Sequence, residues 1–162
     1  MNIVLHDVLD CAVYPVTIKN CKKTYITLFY YNSIDSEFLH MGKNIICFQS
    51  YDALEHFCIA NTLVVGESSV FDFDIPITNP VNYKTVLNNW NLLDTVSNTR
   101  GMHFEGNEAQ YTKVYKQLFR YCTSTAGCPD AVICSGNMYQ KILKVFKRKN
   151  RLLSGFVDYT FG

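Results

Sequence analysis

The residues best suited to chemistry are four histidines, seven cysteines and a few closely spaced carboxylates, and their spacing limits what they can do. His6, His40, His56 and His103 lie far apart and form no H-E-x-x-H or H-x-H pattern, so no zinc-protease helix is written into the chain. Cys11, Cys21, Cys47, Cys58, Cys122, Cys128 and Cys134 form an odd set with no C-x-x-C and no histidine at zinc-like spacing. They are read as reduced thiols of a cytosolic protein. Cys47 sits in the apolar run Ile45-Ile46-Cys47-Phe48, and Cys58 and Cys122 fall on apolar stripes of predicted helices, as small buried hydrophobes do. Cys122, Cys128 and Cys134 are the one group close enough in sequence to raise redox chemistry. Asp7 with Asp10 and Asp72 with Asp74 supply too few oxygens for a hard cation, which takes about six. Neither a P-loop, a nucleophile elbow nor a G-x-G-x-x-G occurs. The expectation is a non-enzyme with no catalytic residue, metal or cofactor; a hydrolase would need a pocket that gathers His with Asp or Cys from distant segments.

The elements that would position these groups follow from periodicity. Val13–Ile18 and Thr24–Tyr31 are rich in β-branched and aromatic residues and read as a hairpin around a Lys19–Lys23 loop. Asn44–Phe48 gives a third strand, and Ser50 then caps a helix whose inner face is Leu54, Phe57 and Cys58. In Val70–Ile75 the side chains of Phe71, Phe73 and Ile75 alternate with Asp72 and Asp74, which places the apolar set inward and both carboxylates outward. Asn79-Pro80 is expected to cap and open a helix from Val81 to about Ser97, with Tyr83, Val86, Leu87, Trp90 and Leu93 toward the core. Asp94 lies about 40° from Trp90 on that helix, beside the stripe, and should find a donor in a backbone N–H or Arg100. A third helix carries Tyr111, Val114, Tyr115, Leu118, Phe119 and Cys122; a last one, Asn137 to about Lys149, carries Met138, Ile142, Val145 and Phe146. Strands early and helices late predict one α+β domain over residues 1–162: an antiparallel sheet from the N-terminal half packed on three to four helices mostly from the C-terminal half.

At 162 residues with 48% hydrophobic and 18% charged side chains, the chain can build a core and is not a disordered one. It has no basic leader and no apolar run of membrane-spanning length, so a soluble cytoplasmic protein without membrane contact is expected. A formal charge of +1 hides an uneven distribution. Residues 1–110 hold six Lys/Arg against twelve Asp/Glu, a net of −6; residues 111–162 hold nine against two, a net of +7. Two opposite readings follow. The acidic part, with Asp72, Asp74, Glu67, Asp35 and Glu37 and the exposed rings of Tyr30 or Tyr31 and Tyr51, suits a basic protein partner. The basic face of the last helix, with Lys141, Lys144, Lys147, Arg148 and Arg151, suits a phosphate backbone.

The run Leu87-Asn-Asn-Trp90-Asn91-Leu92-Leu93-Asp94, followed by Phe104-Glu-Gly-Asn107 and Tyr115-Lys-Gln-Leu118-Phe119, resembles bacterial immunity proteins of contact-dependent growth inhibition, within the polymorphic toxin systems of bacterial competition. The resemblance covers about 35 residues. It implies a small cytosolic toxin inhibitor without catalytic activity, which binds the C-terminal toxin domain of a cognate exported effector, commonly a nuclease, and blocks its active site. The family transfers no list of interface residues. The expected toxin-binding residues, taken from charge and exposure, are Asp72, Asp74, Glu67, Asp35, Glu37 and Tyr31. The alternative is a nucleic-acid-binding accessory module using the basic C-terminal helix.

Overall fold

The computed structural model describes residues 12–31, 36–123 and 131–159. Strands β1 (Ala12–Asn20) and β2 (Lys23–Tyr31) form the expected hairpin, but the connection is only Cys21-Lys22. Both residues have positive φ, 51° and 60°, the conformation that matches the twist of a two-residue hairpin. Neither is glycine, and the strain is offset by Asp74, whose carboxylate accepts the N–H groups of Cys21 (2.6 Å) and Lys22 (3.0 Å). β3 (Ser36–Phe38) continues antiparallel on β2; β4 (His40–Met41) and β5 (Asn44–Cys47) turn back on each other through Gly42 at φ 61°. Helix α1 (Tyr51–Ala60) begins where Ser50 accepts the Ala53 N–H, and buries Leu54, Phe57 and Cys58 as the stripe predicts.

After α1 the chain crosses to the other side of β1. There β6 (Val64–Val65) and β7 (Ser69–Asp72) both run parallel to it. A short β8 (Val157–Asp158) likewise lies parallel to β5. The α+β class holds, with the sheet mostly from the N-terminal half and the helices mostly from the C-terminal half. There are two sheets, β3-β2-β1-β6 with β7 also on β1, and β4-β5-β8, and both are mixed rather than purely antiparallel; in the larger one a helical crossover returns the chain in its original direction.

Helix α2 (Tyr83–Arg100) ends at Gly101 in the left-handed conformation. It starts later than expected: Asn82, not Asn79, accepts the Thr85 N–H, while the Asn79 side chain bonds both N–H and C=O of Cys134. Two 3-10 turns lead to α3 (Thr112–Thr123), and α4 (Gly136–Phe146) and α5 (Lys149–Leu152) follow. Tyr83, Val86, Leu87, Trp90 and Leu93 are all buried. Phe119 is not: it is 52% exposed, since the inner face of α3 is taken by buried Val114 and Leu118 with partly buried Tyr115, Tyr121 and Cys122. Val13 and Leu28 on one side of the larger sheet cluster with Ile46 of β5 and with Leu54 and Phe57 of α1; Val16, Ile18 and Phe38 cluster with Leu93, Leu118 and Ile142 on the other side. Each such side chain, fully buried, contributes roughly 1.5–3 kcal/mol.

Candidate functional site

The helical cover on the α2 side of the sheet is incomplete at one end, and an open cleft of about 530 Å³ lies there. Period-two alternation sends Tyr14 and Val16 of β1, Phe29 and Tyr31 of β2 and Phe38 of β3 into it. Opposite them stand Asn88, Asn91, Leu92 and Thr95, at i, i+3, i+4 and i+7 on α2. Asn91 is held by the Tyr115 hydroxyl, which donates to its Oδ1 at 2.8 Å.

The rim comes from a break in the sheet that the sequence dictates. In the β1 ladder, Val13 pairs with Val65 and Val16 with Ser69, so three residues, Gly66 to Ser68, stand against two. Those two are Tyr14 and Pro15. The Gly66 N–H donates to the Val13 carbonyl at 2.8 Å and the Phe73 N–H to that of Lys19, so the backbone groups of odd-numbered β1 residues face this side. Pro15 has no N–H to offer there. A proline inside a central strand is tolerated at a bulge, and the bulge lifts Glu67 and Ser68 to the mouth of the cleft. Gly66 also makes room for the Tyr14 ring: a Cβ on it would stand 2.5 Å from that ring and push it aside.

Tyr14, Phe29 and Tyr31 form a three-ring cluster. Phe29 meets Tyr31 edge-on at 5.0 Å between centroids, Tyr14 meets Tyr31 edge-on at 6.1 Å, and Tyr14 tilts against Phe29 at 6.3 Å. Tyr31 is 58% exposed. Among the described residues that line the cleft, Glu67 is the charged one, with no Lys, Arg or His in the lining.

The structure distributes the expected toxin-binding residues over different tasks. Tyr31 and Glu67 share the cleft. Asp74 closes the hairpin turn, and Asp72 accepts the Asp74 N–H at 2.9 Å, so both carboxylates bond to the chain's own backbone. The strand ends at Asp72 and its alternation with it, leaving Ile75 60% exposed instead of buried. Glu37 on β3 accepts the Tyr30 hydroxyl at 3.0 Å and faces His40 Nε2 at 3.2 Å. Tyr30 is buried at 3% exposure, against the expectation of an exposed ring, because it points to the α1 side. Tyr51 is exposed, with its hydroxyl against Thr17 Oγ1. Asp35 lies outside the described residues.

The expected basic helix is broken: α4 ends at Phe146 rather than near Lys149, so half-buried Lys141 and exposed Lys144 lie on it, exposed Lys147 and Arg148 follow it, and exposed Arg151 stands on α5. Arg148 and Arg151 approach Glu105 at 3.8 and 3.9 Å, and Arg151 also donates to the His103 carbonyl, so two of the five cations face an acid of the protein itself. Asp94 takes its donor from Asn107 Nδ2 at 2.8 Å rather than from Arg100. Arg100 instead clamps the carbonyls of Leu152 (2.7 Å) and Ser154 (2.6 Å), where burial lowers its pKa. Cys47 and Cys58 are buried free thiols as expected; burial, then the nearby Asp158, pushes the Cys47 thiol up to about 12. Cys122 is half-buried and Cys134 is a buried free thiol, and Cys11 and Cys128 lie outside the described residues. Among the described residues no three His, Cys, Asp or Glu come together as a metal set, and no helix is long and apolar enough to cross a membrane.

Tyr14, Phe29, Asn88, Asn91 and Thr95 were not singled out by sequence reasoning. Pro15 inside a predicted strand was the available signal for the bulge that frames them.

No protein-family model matches the chain, and no curated protein matches it. Among solved structures, the fold is similar to that of the crystal structure of the SatS C-terminal domain in complex with bromine, with a TM-score of 0.62 and 16% sequence identity over 91% of this chain and 94% of that one. At that identity the likeness is one of fold.

Proposed function

We propose that this chain is an immunity-type binding protein that neutralises a cognate toxin domain of an exported effector, a nuclease, by covering its active site or substrate surface, without catalysis or cofactor and in the cytoplasm of the cell that makes it. The observation that carries this reading is the open aromatic cleft, with exposed Tyr31 and Glu67 both in its lining. Rigid aromatic side chains in a preformed recess are the usual energetic centre of protein contacts. Among the described residues that line the recess, Glu67 has no His, Cys or Lys with it, which favours recognition over acid–base or nucleophilic chemistry.

The test is affinity capture with the tagged full chain from the strain that encodes it, followed by assay of the captured partner for nuclease activity. A basic nuclease silenced by one equivalent of the protein, and released at least tenfold more readily by Tyr31→Ala or Glu67→Gln, is the expected result. Absence of a basic partner, or nuclease activity unchanged by the protein, overturns the proposal. The nucleic-acid reading is less supported, since Arg148 and Arg151 already face Glu105. Gel shifts at graded salt test it: a genuine phosphate-tracking face binds tightly at low salt and loses affinity steeply as salt rises.

A further inference from the structure

We propose that the cleft is a seat for one arginine side chain presented by the partner, with the guanidinium among the rings of Tyr14, Phe29 and Tyr31 and Glu67 as its counter-ion. This deepens the reading of the chain as the binder of a basic toxin domain, and rests on it for the source of the arginine.

The first support is a comparison within the molecule. Two other ring faces already carry a cation of the chain: Arg100 lies 5.5 Å from the centroid of Phe156, and Lys149 lies 5.9 Å from that of Phe73. The cleft rings have no such companion among the described residues, and the lining offers no cation to supply one. Aromatic faces set at steep angles to one another, open to solvent and next to a carboxylate, attract positive charge through both the ring quadrupoles and the full negative charge.

Size and shape narrow the choice of cation. About 530 Å³ is more than an ammonium head fills, and the floor of Val16, Phe38 and Leu92 is apolar, as a methylene stem requires. A guanidinium lies flat on a ring and still donates from its edge to a carboxylate, whereas a lysine ammonium does only one of these well. Asn88 on α2 and Ser68 on the bulge add oxygen acceptors at the mouth.

The experiment uses the full chain and three blocked tripeptides, acetyl-Gly-X-Gly-amide, with X as arginine, lysine or citrulline. Citrulline keeps the shape of arginine and removes its charge. Ring resonances of Tyr14, Phe29 and Tyr31 are followed by NMR during titration. The expected outcome is saturable movement of all three with the arginine peptide, at an affinity at least fivefold above citrulline and above lysine. Glu67→Gln, a change on the exposed bulge, should lower the arginine affinity severalfold and leave citrulline unchanged. Equal response to arginine and citrulline, or shifts confined to other surfaces, overturns the proposal. The two readings fail separately. A captured nuclease that is neutralised equally well by Glu67→Gln keeps the toxin-binding function and removes the arginine seat; a clear arginine preference with no nuclease captured does the reverse.

Discussion

Asp74 shows how a residue's type can be readable while its role is not. An acidic side chain at alternating spacing on a strand implies outward orientation, and Asp74 is indeed exposed, yet its oxygens hold the N–H groups of Cys21 and Lys22. No local pattern links positions 53 residues apart. Asp74→Ala should cost about 1–2 kcal/mol by leaving two positive-φ residues without their acceptor, and Asp74→Asn about half as much. Thermal melts check this: a loss of several degrees is expected for a chain of this size. Cys47 gives a pH prediction. Its thiol titrates at about 12 against an ordinary 9.0, so the folded state holds the proton more tightly than the unfolded one. That contribution is complete below pH 9 and disappears between about 9 and 12, up to about 4 kcal/mol on the scale of ~1.4 kcal/mol per pKa unit. The buried Tyr83 phenol, also pushed to about 12 by burial and then by Cys134 and Tyr121, adds to the same alkaline loss. Denaturant titrations from pH 8 to 11 should show stability falling, and brief alkylation at pH 8 followed by peptide mapping should label exposed Cys21 and spare Cys47.

At the scale of elements, helices were more legible than strand register. The stripe of Tyr83, Val86, Leu87, Trp90 and Leu93 is buried because five apolar residues at helical spacing admit one solution, and Ser50 caps α1 as its hydroxyl suggests. The hairpin was placed correctly but slipped by one. A loop over Lys19–Lys23 opposes Tyr14 to Leu28; the actual turn at Cys21-Lys22 opposes it to Phe29. One step of register changes which side chains share a face, and the aromatic cleft exists only in the second arrangement. Turn chemistry concealed this, since Cys-Lys is a poor sequence for two left-handed residues and depends on a distant carboxylate. Pro15 was the stronger clue. Its pyrrolidine ring denies the ladder a donor, and the bulge across from it follows. Gly66→Ala should displace the Tyr14 ring while the fold stands, because the obstruction is a side chain and not backbone. Altered Tyr14 ring shifts in an otherwise unchanged NMR spectrum are the expected reading.

For the whole molecule, the charge split of −6 and +7 becomes spatial: the cleft belongs to strands and a helix drawn from the acidic two thirds, while α3, α4 and α5 carry the basic surplus. A small net charge then coexists with a directional field that acts over about a Debye length, ~8 Å at physiological salt. For a basic partner, association with the captured toxin domain should slow as salt rises. Lys144→Glu with Lys147→Glu should speed it severalfold at low ionic strength, and stopped-flow binding reads both effects. Slower association of that double variant would instead mean that the partner meets the basic pole. The bulge at Gly66–Ser68 has an evolutionary corollary. Glu67 and Ser68 project from a segment that the ladder on β1 skips, next to a recess whose walls are fixed by β1, β2 and α2. Both side chains stand outside the strand pairing and the core, so on the proposed reading this stretch can vary without rebuilding the scaffold, and Glu67→Lys is expected to turn the preference of the cleft from a basic partner to an acidic one.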